Sequence, residues 1–191
     1  MRVEELQSTF ARYLDEAWRL KKAYADRITL LVGLETEYID EAGLDELERL
    51  IERERTRVQY LVGSVHHCHE LPIDFDKPGF DQALASSSGS DDRARFASLF
   101  EAYFDAQHAL MSRLEPAVIG HFDLCRLYYP DLDLRQSGVV WAKIERNVRL
   151  GVSYGALFEV NAAAFRKGWR TAYPGAEVLE VRSPPPRRCR S

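Results

Sequence analysis

The chain has 191 residues, with 26 Lys+Arg against 30 Asp+Glu and a net charge of −4. That length fits a single domain able to bury roughly 70% of its unfolded surface. A 46% apolar, 29% charged composition excludes a wholly disordered chain, the acidic balance speaks against a general nucleic-acid binder, and no run of 18 apolar residues is present to span a membrane.

Residues 4–24 place Leu6, Phe10, Leu14 and Trp18 at a period near 3.6, which predicts an amphipathic helix. The acidic start offers no secretory signal. Residues 27–34 (RITLLVGL) form a β-rich apolar run and predict a buried strand. Helical spacing returns over 43–57 through Leu44, Leu47, Leu50 and Ile51, and 58–65 (VQYLVGSV) predicts a second strand. The stretch 71–92 holds Pro72, Pro78 and the run SSSGSDD, and reads as a long loop, mobile or functional. A long helix is expected over 93–114, a third strand over 117–122 (AVIGHF), a helix over 141–150, a fourth strand over 155–160 (GALFEV) and a short fifth over 177–181 (EVLEV). The tail 183–191 (SPPPRRCRS) is read as disordered, which leaves one domain over 1–182. Alternating strands and helices predict a parallel α/β arrangement. Three widely spread cysteines (Cys68, Cys125, Cys189) argue for a reducing, cytoplasmic compartment.

Three of the predicted strands share one pattern: an apolar run, a glycine, then acid or imidazole at the exit. LLVGLE ends at Glu35, YLVGSVHH at His66 and His67, and AVIGHFD at His121 and Asp123. In parallel α/β folds the active site lies at the carboxyl ends of the strands. Glu35, His66 and His121 delivered to one mouth would make a mixed nitrogen and oxygen metal site. Taken singly, a glutamate after a strand is usually solvated and a lone histidine usually packs at a rim. The threefold recurrence raises the metal reading. Strand alternation puts His66 and His67 on opposite faces, so only one of them is expected to converge on the site.

The segments GLETEYID (33–40), VGSVHHCHELPIDFD (62–76), IGHFDLCRL (119–127) and GALFEVNAAAFRKG (155–168) resemble, in order, the histidinol-phosphatases of the polymerase-and-histidinol-phosphatase (PHP) superfamily, fungal-like type. The resemblance implies a distorted (β/α)7 barrel whose mouth holds divalent metals (Zn, Mn or Fe). It implies a metal-dependent phosphomonoesterase that converts L-histidinol phosphate to L-histidinol and phosphate in histidine biosynthesis. Carried over by motif, Glu35, His66 and His121 are the implied metal ligands. Asp123, Glu159 and Asn161 are implied supporting groups, and Arg126 and Arg166 are candidates for the substrate phosphate.

The family's opening His-x-His strand, a second strand ending in histidine and a closing Asp-x-His have no counterpart here. An incomplete barrel lacking its first two strands is therefore expected, in a shortened form with incompletely coordinated metals. The competing reading is a non-catalytic remnant of the same fold that binds a metal or a partner.

Overall fold

A computed structural model of the chain describes residues 3–181; the tail expected over 183–191 lies outside the described residues. Its centre is a parallel sheet of four strands: β1 (Gly33–Glu37), β2 (Tyr60–Ser64), and two strands of two residues each. Between β2 and the last pair stands a hairpin of β3 (His67–Cys68) and β4 (Leu71–Pro72). The last pair is β5 (Val118–Ile119) and β6 (Leu157–Phe158), and the sheet order is β1-β2-β5-β6. The α/β class and parallel sheet agree with the sequence. Within the described residues the sheet is an open segment, with β1 and β6 at its edges.

The helices are α1 (Val3–Ala23), α2 (Glu41–Arg53), α3 (Lys77–Ser86), α4 (Asp92–Leu114), α5 (Gly138–Tyr154), and the single turns α6 (Ala163–Arg166) and α7 (Ala176–Leu179). None of the described helices is long and apolar enough to cross a membrane. The start of α2 is fixed by Asp40, whose carboxylate accepts from the Gly43 amide at 2.6 Å. The core lies where α4 and α5 cover the sheet: Leu99, Phe100, Tyr103, Phe104, Met111, Ile119, Phe122 and Ile144 are all buried. Each such side chain contributes about 1.5–3 kcal/mol by leaving water. One polar clasp runs through this apolar layer. Asn147 Nδ2 donates to the Phe104 carbonyl at 2.7 Å and to Gln107 Oε1 at 3.1 Å, and Gln107 Nε2 donates to the Phe122 carbonyl at 3.0 Å. The buried amides are thus satisfied, and the chain after β5 is anchored to α4.

Three expectations are corrected. The strand read over 27–34 forms only from Gly33 and runs on to Glu37. Upstream, Ile28 and Leu31 face solvent, at 55% and 62% exposure, and the Leu30 carbonyl accepts from Lys21 Nζ on α1 at 2.5 Å. The stretch 71–92 is no long loop, because Asp76 caps the Gly79 amide at 2.7 Å and starts α3 with Pro78 in its first turn. The fifth strand expected over 177–181 is instead the turn α7. Glu177 and Glu180 lie three apart and reach Arg126 at 2.7 Å and Arg135 at 3.2 Å, a spacing that a helical turn puts on one face.

Candidate metal centre

All four sheet strands send a side chain to the same end, the carboxyl end. Glu35 and Glu37 sit two apart on β1 and so share a face. Ser64 closes β2 and His66 follows it; His121 follows β5; Glu159 follows β6. The β1–β2 register pairs Glu35 with Val62 and Glu37 with Ser64, and the β2–β5 register pairs Gly63 with Ile119. Residues far apart in sequence therefore arrive side by side.

Glu35, His66 and His121 each offer one ligand atom, all within 4.8 Å of one another, the one such group among the described residues. The two Nε2 atoms stand 3.1 Å apart, and Glu35 Oε1 lies 3.6 Å from His121 Nε2 and 3.9 Å from His66 Nε2. Two nitrogens bound tetrahedrally to one zinc would be about 3.3 Å apart. The residues therefore fit a shared cation. Three protein ligands leave positions open, as in catalytic rather than structural sites. Glu35 faces solvent, with 55% of its side chain exposed, whereas the His121 side chain is only 12% exposed.

A ring of polar contacts orients the three. The Ser64 hydroxyl donates to Glu35 Oε1 at 2.7 Å. Glu37 lies 3.6 Å from His66 Nδ1 and also contacts His67 Nδ1, so its carboxylate turns the Nε2 of His66 toward the centre. Glu159 Oε2 accepts from the His121 amide at 2.8 Å, and its Oε1 accepts from Asn161 Nδ2 at 3.1 Å. Gly120 gives room for this arrangement: a Cβ there would stand 2.6 Å from the Ser64 hydroxyl. The His121 imidazole chiefly, and the Ser64 hydroxyl after it, hold the Glu35 carboxyl down to about 2 against the opposing effect of burial. Burial pulls the His66 imidazole down, but Glu37, Asp74 and Glu35 outweigh it and hold the group above its ordinary value.

Two expected roles look different in place. Arg126 is 4% exposed; its guanidinium donates to Asp123 Oδ2 at 2.5 Å and to the Leu132 carbonyl at 3.2 Å, and pairs with Glu177 at 2.7 Å. It is a buried structural ion pair and not a group open to a phosphate. Asp123, fully buried, accepts at Oδ2 from Arg126 and from the Gly175 amide at 2.9 Å, while its Oδ1 and the Nδ1 of His121 are both buried without a partner. Arg166, the last residue of α6, is exposed and forms no ion pair among the described residues. His66 and His67 were expected to diverge, yet both meet Glu37, because β2 ends at Ser64 and alternation lapses before residue 66. Sequence reasoning missed Glu37 and Ser64. The signal for Glu37 was its place two residues after Glu35 on one strand face.

The sequence pattern of the PHP domain matches residues 8–163. The chain belongs to the PHP domain family. It is 44% identical over 182 residues to a Schizosaccharomyces pombe protein named "Probable histidinol-phosphatase", covering 93% of this chain and 57% of that one. It is 29% identical over 205 residues to a Saccharomyces cerevisiae protein named "Histidinol-phosphatase", covering 94% and 60% respectively. The chain thus spans somewhat under two thirds of the length of these PHP relatives. Among solved structures, a candidate histidinol phosphatase from Listeria monocytogenes superposes with a TM-score of 0.72 at 19% identity, over 90% of this chain and 65% of that one. That match is a likeness of fold. The PHP domain is a metal-dependent fold, in keeping with the convergence of Glu35, His66 and His121.

Proposed function

We propose that this PHP chain serves the hydrolysis of L-histidinol phosphate to L-histidinol and phosphate, a step of histidine biosynthesis, in the cytoplasm. The observation that carries the reading is the convergence of Glu35, His66 and His121 at the carboxyl ends of three adjacent parallel strands. The histidinol-phosphatase names of the fungal relatives supply the substrate. Cys68 and Cys125, buried and unpaired, suit a reducing compartment.

Glu35 and the Nε2 atoms of His66 and His121 would hold one divalent cation, zinc, manganese or iron. Such a cation supplies Lewis acidity toward a phosphate oxygen and lowers the pKa of water toward neutrality. The chain's own residues do the rest. Ser64 fixes the Glu35 carboxylate. Glu37 fixes the His66 ring from its Nδ1 side. Glu159 and Gln107 hold the backbone at 121–122 through the His121 amide and the Phe122 carbonyl. The exposed flank of Glu35 is where the ester would enter. Arg166 is the candidate to grip its phosphate oxygens, because a planar guanidinium with no partner among the described residues matches them bidentately.

The test is release of phosphate from L-histidinol phosphate by the full chain with Mn²⁺ or Zn²⁺. Metal-dependent release that is lost in Glu35→Gln and in His121→Ala supports the proposal. Background release with metal bound favours the second reading, a non-catalytic metal-binding domain built on the same Glu35, His66 and His121 group.

A further inference from the structure

The hairpin after β2 brings one more segment to the rim of the metal centre. β3 and β4 pair His67 with Pro72, and the Ile73 amide donates to the His66 carbonyl at 2.9 Å, so residues 73–76 run back beside His66. Ile73 is wholly buried. The two residues after it are not used by the fold. Asp74 is half-buried, yet it accepts no side-chain hydrogen bond and forms no ion pair with any described residue. Its charge instead acts on His66, Tyr128 and Tyr173 around it. Asp76, by contrast, is occupied in capping α3, and Lys77 is taken by Asp81 and by the Tyr129 hydroxyl at 3.1 Å. Phe75 is 85% exposed, the most exposed large hydrophobic among the described residues, and stacks on no other described ring.

A half-buried carboxylate without a partner and an aromatic ring left in water both carry a free-energy cost. A ligand bearing a cationic nitrogen and a flat ring removes both costs at once. We propose that Asp74 and Phe75 form the specificity subsite for the non-phosphate end of the ester, with the cationic nitrogen on the Asp74 carboxylate and the planar ring on Phe75. This rests on the phosphatase reading above. It fits a substrate whose phosphate lies over Glu35, His66 and His121 while its amine and ring lie along the 73–76 segment. Asp74 and Phe75 select the substrate and take no part in bond breaking.

Calorimetric titration of the full chain without added metal, so that the ester is bound and not turned over, with L-histidinol phosphate and separately with inorganic phosphate, tests the subsite. The wild type is expected to prefer the ester. Asp74→Asn should cut that preference about tenfold, and Phe75→Ala about fivefold. Phe75 lies at the surface and Asp74 is half-buried, and circular dichroism checks that each variant is folded. Equal affinity of the wild type for ester and phosphate, or an unchanged preference in both variants, overturns the subsite and leaves the phosphatase reading to its own hydrolysis assay. No binding of the ester to the wild type overturns the subsite likewise.

Discussion

His66 Nε2 and His121 Nε2 stand 3.1 Å apart, contributed by residues 55 positions apart in sequence. Two protonated imidazoles at that distance would repel, so proton and metal compete for the pair. Metal affinity is expected to fall by up to about tenfold per pH unit below the range of His66, which must lose one proton to bind. The metal-free protein behaves differently. His66 is held above its ordinary 6.5, so its contribution to stability is present below that value and is lost as pH rises through the raised one. Glu35 is held down to about 2 from an ordinary 4.5, so its contribution is present above 4.5 and is lost as pH falls toward 2. Urea midpoints of the metal-free chain between pH 2 and 9, set beside metal titrations, check both signs.

Glu37 orients His66 without belonging to the trio of Glu35, His66 and His121 that could hold a metal ion. Glu37→Gln should weaken metal binding about 10–100-fold, as is usual when a carboxylate behind a histidine ligand is lost. The folded state should survive, since Glu37 is half-buried. Equilibrium dialysis against Zn²⁺ with a circular dichroism control measures this.

Gly120 and Ser64 share too little space for another carbon. Gly120→Ala would put a Cβ 2.6 Å from the hydroxyl that holds Glu35. The expected cost is about 1–3 kcal/mol, with weakened metal binding. Adding Ser64→Ala should recover the stability and leave the metal affinity low. A double-mutant cycle by urea denaturation reads the coupling.

Arg126 bridges two carboxylates inside the protein, Asp123 at 2.5 Å and Glu177 at 2.7 Å. Arg126→Met strands the fully buried Asp123, and a loss of about 3–5 kcal/mol is expected. A thermal melt that matches the wild type would show that the pair does not hold the fold.

The hairpin between β3 and β4 turns through His69 and Glu70, at φ of +53° and +63°, a left-handed conformation that suits glycine far better. Glu70→Gly should stabilise the chain by about 1 kcal/mol, raising Tm by about 2–4 °C. Differential scanning calorimetry checks it.

The carboxyl-end pattern was legible because buried parallel strands read as unbroken apolar runs, and the residue after the run must then face the mouth. Glu35, His66 and His121 could be found that way. The run 27–34 misled because apolar content does not mark where pairing begins; Lys21 takes the Leu30 carbonyl, and the ladder starts at Gly33. At 71–92 the two prolines suggested a break, although Asp76 with Pro78 in the following turn is a helix start. The burial of Arg126 was not legible. A motif position says which residue stands near a site, but only the fold shows that Asp123 and Glu177 enclose it.

The strands carrying the centre are unequal in length. Glu35 and His66 hang on a ladder of five paired positions, while His121 follows a strand paired at only two positions on either side. Brief local opening should therefore release His121 before the other two, and backbone amides around 118–121 should exchange with deuterated solvent faster than those of 34–37.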